Sequence, residues 1–298
     1  MTSEIDSLLS RSGLLEPSTL SDLLPKVHRV IEAASKEPVQ GRGVTFGIAG
    51  LDEHIGGLRP GSVIGIAGRP GLGATALASW ISMKAAATPS VSVLHFSRSI
   101  TREQLATRML AATARVDLAR IRSGFVRGDD WPRLAQAEKQ LSQAKIRIDD
   151  GPLLLARIID TCRVHATARS NIFVIDDATA LRDPDRGGGR AEQVDRACLA
   201  LRSLADDLGA ALVLVGRVGR AVEGRPDKRP LITDVRPRST LPRVADALVL
   251  LHRDEVYDPR SADRGIIELN VAQNRYGSSG TVRVRFLHEY VAFDAPTG

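Results

Sequence analysis

The stretch that decides the fold is Ser62-Val-Ile-Gly-Ile-Ala67, which runs directly into Gly68-Arg-Pro-Gly-Leu-Gly73-Ala74-Thr75. The first six residues form a short apolar run typical of a buried strand, and helical spacing follows over Thr75–Ala87. Glycines in the connecting loop let backbone N–H groups converge on an anion, and the helix N-terminus adds its dipole. The spacing matches the phosphate loop G-x-x-x-x-G-K-[ST], except that Ala74 stands where lysine is expected.

This loop predicts a site for ATP and Mg²⁺. The Thr75 hydroxyl would ligate the metal, whereas Ala74 supplies no charge to neutralise the β- and γ-phosphates. An ordinary glycine-rich turn is the alternative, but the strand before the loop and the helix after it favour phosphate binding. The predicted nucleotide-binding residues are Gly68, Arg69, Gly71, Gly73, Ala74 and Thr75.

A second apolar strand ends in two carboxylates. Asn171-Ile-Phe-Val-Ile175 runs into Asp176-Asp177, and a carboxylate at such a strand end can hold Mg²⁺ through water. We therefore predict Thr75 and Asp176 as the metal ligands. The competing interpretation is an aspartate that caps a turn.

Apolar strands alternate with helices from residue 44 onward. This alternation predicts an α/β fold with a mostly parallel, twisted sheet covered by helices on both faces. Ligands of such sheets bind at the carboxyl ends of the strands. In the predicted helix 131–144, Leu134, Ala135 and Leu141 are expected to face inward. The predicted strands are 62–67, 91–97, 146–148, 171–175, 211–215 and 247–251, with a terminal hairpin at 266–272 and 281–286, and the other helices are 75–87, 101–112, 153–168 and 191–208.

The segment before this domain has a different character. Residues 1–20 are polar and irregular and are expected to be flexible. Apolar residues recur at helical spacing from Leu20 to Ala34, which predicts an amphipathic linker helix over Ser21–Ser35 within a linker region, 21–43. The domain proper is expected to span 44–298. The helix either folds back on its own domain or docks on a neighbouring subunit.

Composition narrows the class of protein. The chain has 298 residues, a net charge of +6 and two cysteines, and the charge favours a polyanionic partner. Cys162 and Cys198 lack metal-ligand spacing, so we expect both to be buried in a reducing cytoplasm. The N-terminus has no apolar core of a secretory signal, and the longest apolar runs are too short to cross a bilayer. We therefore expect a cytoplasmic protein with no membrane partner.

Several longer motifs occur together along the chain. Val44-Thr-Phe-Gly-Ile-Ala-Gly-Leu-Asp52 precedes the phosphate loop, and Arg225-Pro-Asp-Lys-Arg-Pro230 follows the second half of the site. Further on stand Asp234-Val-Arg236, Ala245-Asp-Ala247, His252-Arg-Asp-Glu255 and Asn274-Arg-Tyr-Gly277. In these motifs the chain resembles the motor domain of DnaB-type replicative DNA helicases, over roughly residues 20–295.

The resemblance carries expectations about fold and assembly. It implies a RecA-like P-loop fold and a hexameric ring, with ATP between subunits and single-stranded DNA in the central channel. The linker helix would dock on the neighbouring subunit. We expect no counterpart of the family's helical N-terminal domain, which meets primase.

Departures from the family pattern cluster on the chemistry. The phosphate-loop lysine is replaced by Ala74, and the catalytic glutamate of the Ser-Leu-Glu-Met run by Ser99. Other family positions are changed as well: the glutamine sensor is Arg217, the lysine of the trans-acting Lys-x-Arg pair is Gln273 beside a retained Arg275, and Glu-Ser-Gly is Pro237-Arg-Ser239. Phosphoryl transfer depends on such cationic and basic groups, so their loss indicates a pseudoenzyme.

A rearranged active site is the rival interpretation. Arg217 is expected near the γ-phosphate and can replace the missing positive charge. Asp177 occupies the position at which many other P-loop ATPases keep a catalytic acid. On the active interpretation the catalytic residues are Asp177, Arg217 and Arg275.

Two loops are both glycine-containing and basic, namely 182–190 and 217–229. Glycine lets the backbone approach a phosphate chain and arginine neutralises it. No aromatic residues are interleaved, so we expect sequence-tolerant, salt-sensitive binding of single-stranded DNA; the alternative is a pair of solvated surface loops. The predicted DNA-binding residues are Arg186, Arg190, Arg220, Arg225, Lys228 and Arg229.

Three functions therefore stand open. The first is a ring-forming, DnaB-like protein that binds single-stranded DNA with weak or no ATP hydrolysis, as a pseudo-helicase or as a modulator of DNA replication beside an active replicative helicase. The second is an active ATP-dependent DNA helicase with a remodelled site. The third is a DNA-independent assembly protein that forms rings or filaments.

Overall fold

The computed structural model describes residues 19–36, 43–236 and 240–294. The helices are α1 Leu20–Lys36, α2 Ala49–Ile55, α3 Ala74–Ala86, α4 Arg102–Ala114, α5 Leu118–Ser123, α6 Asp130–Ser142, α7 Leu155–His165, α8 Arg190–Asp207 and α9 Leu241–Val244. The strands are β1 Val63–Gly68, β2 Val91–Ser97, β3 Ile146–Asp149, β4 Ser170–Asp176, β5 Ala211–Val218, β6 Val235–Arg236, β7 Ala247–His252, β8 Ile266–Asn274, β9 Gly280–Leu287 and β10 Ala292–Asp294.

The strands form one sheet in the order β10-β9-β8-β7-β1-β5-β4-β2-β3, and β6 pairs with the end of β5. Neighbours from β7 to β3 run parallel, whereas β8, β9 and β10 add antiparallel strands at one edge. β1 lies at the centre and every one of its residues is buried. Its continuous apolar character follows from being covered on both faces.

Helices cover both faces of the sheet. Alternate strand residues point to opposite sides, and both sides are apolar. Ile64 and Ile66 pack in the cluster that contains α2, α3 and α4. Val63 and Ala67 pack in the other cluster, with α7, α8 and α9. This architecture confirms the predicted α/β fold with a mostly parallel sheet.

Some local predictions were wrong. Ala135 is exposed, and Ala137 is buried beside Leu134 in its place. The predicted helix 153–168 spans only Leu155–His165. It begins later than predicted because Leu154 is extended and forms a β-bridge with Arg182. The buried cysteines were predicted correctly, for Cys162 and Cys198 are both fully enclosed.

The predicted linker helix is present as α1, and it carries an apolar stripe. Leu20, Leu24 and Ile31 are each more than half exposed, and Leu23 and Val27 lie on the same stripe. Residues 1–18 of the predicted flexible segment 1–20 and most of the linker after α1 lie outside the described residues, and Leu20 already belongs to α1. Within the described part of the chain, no helix has the length and apolar character needed to span a membrane.

Candidate nucleotide site

The phosphate loop joins β1 to α3 at the carboxyl edge of the sheet. Gly71 and Gly73 have φ angles of 86° and 107°, a backbone region that side chains other than glycine rarely adopt. The loop borders a cavity of about 480 Å³. The predicted residues Gly68, Arg69, Gly71, Gly73, Ala74 and Thr75 all line that cavity, so the structure brings the whole predicted loop together.

Two positions in the cavity lack the side chains expected from the family pattern. Ala74 is the first residue of α3 and faces the cavity with a methyl group only. Ser99, just after β2, also lines the cavity and is exposed. Neither residue can carry positive charge or act as a carboxylate base at neutral pH.

Asp176 lies at the end of β4, in register with Ser97 of β2 and Val215 of β5. Burial raises its pKa to about 6, although a hydrogen bond from the Thr75 hydroxyl and the charges of Arg217 and Arg108 lower it. Its Oδ2 atom is buried without a hydrogen-bond partner in the described residues. One hydroxyl and one carboxylate with an unused oxygen fit a Mg²⁺ ion that also binds water and phosphate.

Asp177 and Arg217 form an ion pair inside the site. The Arg217 guanidinium donates to Oδ2 of Asp177, whose side chain is only 5% exposed. Oδ1 accepts hydrogen bonds from the Thr179 backbone N–H at 2.8 Å and its hydroxyl at 2.7 Å. Both carboxylate oxygens are therefore occupied, and the two side chains proposed for a remodelled site neutralise each other in this conformation.

The Arg69 side chain contacts the end of β5 and the segment that follows it. Its guanidinium contacts Glu223 at 2.6 Å and donates to the Val218 carbonyl at 3.1 Å. These contacts tie the phosphate loop to the segment that follows β5. Arg69 therefore positions the loop as well as lining the cavity.

Arg275 lies at the opposite edge of the sheet from the phosphate loop of its own chain. It follows β8, whose last residue pairs with Ala247 at the start of β7. Its guanidinium contacts Asp246 at 3.5 Å and the Arg243 carbonyl at 3.1 Å. Within one chain Arg275 does not join the site, so a role there requires a neighbouring subunit.

The predicted DNA-binding residues divide into two groups. Arg186 and Arg220 are exposed on their loops. The others are held by their own chain: Arg190 donates to the carbonyls of Thr179 and Leu181, Arg225 contacts Asp234 at 2.7 Å, Arg229 makes a two-pronged contact with Glu268 at 2.7 and 2.8 Å, and the Lys228 ammonium lies 5.8 Å from the Tyr257 ring centroid. Pro237-Arg-Ser239 lies outside the described residues.

One charged residue of the cavity was not predicted from the sequence. Arg108 of α4 lines the cavity, as do His288 and Val291 from the antiparallel edge. In the sequence, Arg108 could have been singled out by its position on the helix, three residues after buried Leu105 and one before buried Met109. An arginine beside the apolar face of an amphipathic helix indicates a special environment.

Comparison with known proteins places this architecture in one family. The family described as DnaB-like helicase C terminal domain matches residues 43–295. The chain is 31% identical over 277 residues to the replicative DNA helicase DnaB of Geobacillus stearothermophilus, covering 92% of this chain and 61% of that protein. It is 32% identical over 265 residues to the DnaB of Leifsonia xyli, covering 88% of this chain and 58% of the relative.

Solved structures agree with the sequence comparison. A solved ATPase domain superposes with a TM-score of 0.88 at 25% identity, covering 95% of this chain and all of that one. A DnaB-like replicative helicase studied with primase shares the fold, with a TM-score of 0.86 at 24% identity, covering all of this chain and 72% of that one. The chain spans about three fifths of the length of the curated relatives it matches. It belongs to the DnaB-like helicase family and carries that family's C-terminal motor domain.

Proposed function

We propose that the protein forms a ring, binds single-stranded DNA and hydrolyses ATP weakly or not at all. It would serve as a pseudo-helicase or as a modulator of DNA replication, with an active replicative helicase as a further partner. The observation that carries this proposal is the site itself. The glycines and Thr75 of the phosphate loop are retained together with Asp176, while Ala74 and Ser99 replace the lysine and the glutamate of the family pattern.

Fast ATP hydrolysis needs groups that stabilise the transition state. Thr75 and Asp176 would hold Mg²⁺, which when bound would supply positive charge against the phosphates. No carboxylate other than Asp176 and Asp177 lines the cavity among the described residues. Asp177 is engaged by Thr179 and Arg217, so no free base remains to orient a water. The site can therefore bind a nucleotide without the groups that accelerate its hydrolysis.

Two features support assembly into a ring. The apolar stripe of α1 is exposed on its own chain, and burial against a neighbouring subunit would remove it from water. Arg275 lies at the far edge of the sheet, where it can reach only the site of another subunit. We propose the hexamer implied by the family as the assembly.

DNA binding is proposed on the loops that follow β4 and β5. Arg186 and Arg220 are exposed there, whereas Arg190, Arg225 and Arg229 are engaged within the chain. The exposed pair would make the phosphate contacts, while the engaged arginines would hold the loops in shape.

Replacing both exposed arginines is expected to weaken DNA binding. In an Arg186→Ala/Arg220→Ala protein, the affinity for a fluorescent oligothymidylate should fall roughly tenfold at moderate salt. The slope of log affinity against log salt should also shrink by about 1.4, since each contacted phosphate of a single strand contributes about 0.7. Fluorescence anisotropy at several salt concentrations measures both quantities.

The matched control is Arg163→Ala/Arg169→Ala, which removes two exposed arginines, one from α7 and one from the residue before β4. If the control weakens binding as much as the loop variant, the loops are not the DNA site. If the parent protein binds no single-stranded DNA but forms rings or filaments, the DNA-independent assembly protein is the better account.

An active helicase with a remodelled site is the second candidate, because Arg217 and Asp177 lie in the cavity. On that account nucleotide binding would separate the pair, and each residue would take part in hydrolysis. Arg217→Ala and Asp177→Asn proteins that hydrolyse ATP as the parent does would exclude it.

A further inference from the structure

A second, smaller cavity opens beside the nucleotide site. It has a volume of about 220 Å³, and its lining residues are Gln104, Thr107, Arg108, Leu118 and Arg122. Arg108 and Leu118 line both cavities. The two spaces therefore adjoin at Arg108, and together they lead from the phosphate loop across α4 to α5.

The smaller cavity is positively charged. Arg108 comes from α4 and Arg122 from α5. Burial lowers the pKa of Arg108, the nearby Arg122 lowers it further, and Asp176 acts in the opposite direction. The two guanidinium groups are thus close enough to repel each other.

Neither arginine is engaged within the described part of the chain. Neither Arg108 nor Arg122 forms an ion pair or a side-chain hydrogen bond among residues 43–236 and 240–294. Arg120, two residues before Arg122, does have a carboxylate partner in Asp130. Each guanidinium offers five N–H donors and no acceptor, so the partly buried Arg108 beside the exposed Arg122 is a binding surface for an anion.

The carboxylates at the boundary form no ion pair with Arg108 or Arg122 among the described residues. Asp177 is paired with Arg217, and Asp176 accepts a hydrogen bond from Thr75. Arg69 is paired with Glu223. The positive charge that remains available on this side of the cavity belongs to Arg108 and Arg122.

We propose that Arg108 and Arg122 form a clamp for the terminal phosphate of a nucleoside triphosphate, in place of the lysine absent at position 74. Guanidinium groups suit this role because their planar donors match phosphate oxygens two at a time. The proposal rests on the proposed function in one respect, namely that the phosphate-loop cavity holds a nucleotide. It adds that the site distinguishes triphosphate from diphosphate.

The test compares two fluorescent probes, N-methylanthraniloyl-ATP and N-methylanthraniloyl-ADP, both with Mg²⁺. The parent protein is expected to bind the triphosphate about tenfold more tightly, because the diphosphate cannot form the charge-assisted hydrogen bonds of the terminal phosphate. In Arg108→Gln/Arg122→Gln this ratio should fall to about 1, while the diphosphate affinity changes less than about threefold. Arg163→Gln/Arg169→Gln should keep the ratio of the parent.

The single Arg122→Gln protein keeps the test valid if the double variant does not fold, because Arg122 is exposed. Its ratio should be reduced at least about threefold, with an unchanged melting temperature. A parent without triphosphate preference, or variants that keep it, would overturn the clamp. A parent protein that binds neither probe but still binds single-stranded DNA would also overturn the clamp. That outcome would leave the proposed DNA-binding function standing.

Discussion

An Ala74→Lys protein is expected to bind Mg-ATP about 10- to 100-fold more tightly than the parent chain. Residue 74 begins α3 and lines the cavity, so a lysine there points into the space that phosphates would occupy. A hydrogen bond to a charged group contributes roughly 1.5–3 kcal/mol, which corresponds to that range of affinity. Equilibrium titration with a fluorescent ATP analogue measures the change.

The matched control is Ala87→Lys, which adds the same charge just after the other end of α3, at an exposed position. This control should bind Mg-ATP within about threefold of the parent, since the added charge is distant from the site and screened. Equal tightening by both lysines would mean that net charge alone improves binding. No tightening at position 74 would mean that this cavity does not receive the phosphates.

Unfolding should reveal the unusual ionisation of Asp176. Its pKa is raised to about 6 by burial, whereas an aspartate in the unfolded chain ionises near 3.9. Between these values the folded state holds the extra proton, so the stability contributed by this group falls as pH rises from about 4 to about 6. The loss amounts to roughly 3 kcal/mol of unfolding free energy and is complete above that window.

An Asp176→Asn protein lacks this titration. Relative to the parent, it should gain roughly 2–3 kcal/mol of unfolding free energy between pH 4 and pH 8 in the absence of nucleotide and Mg²⁺. Urea unfolding at the two pH values measures the gain. The control is Asp185→Asn, at an exposed position on the loop after β4. If the difference between Asp176→Asn and the parent is the same at both pH values, then Asp176 is not protonated in the folded state at low pH.

Much of the fold could be predicted from the sequence because its signals are local. Fully buried parallel strands such as β1 and β7 appear as nearly continuous apolar runs, and Gly71 and Gly73 of the phosphate loop are dictated by positive φ angles. Short elements were missed because a local pattern needs several residues to be visible. α5 has six residues, none of them buried, and β10 has three, which is too few for a periodic pattern to emerge.

The phosphate loop and the strand-end residues of the site were predictable, whereas Arg108 and the side-chain pairings were not. Motif spacing placed Gly68–Thr75, Asp176 and Arg217 at the same sheet edge, because parallel strands end together. Spacing cannot show that Arg217 faces Asp177, or that Glu268 on β8 pairs with Arg229. Those pairings join residues 40 and 39 positions apart in the chain, and they depend on side-chain conformations that only the assembled sheet fixes.

The most direct test of the central claim is ATP turnover, measured as phosphate release with and without single-stranded DNA, beside an Asp176→Ala control. We expect release no faster than in the control under both conditions, because the phosphate-loop lysine and the carboxylate base are absent from the site. Hydrolysis that is stimulated by DNA and abolished by Asp176→Ala would contradict it and identify the protein as a motor.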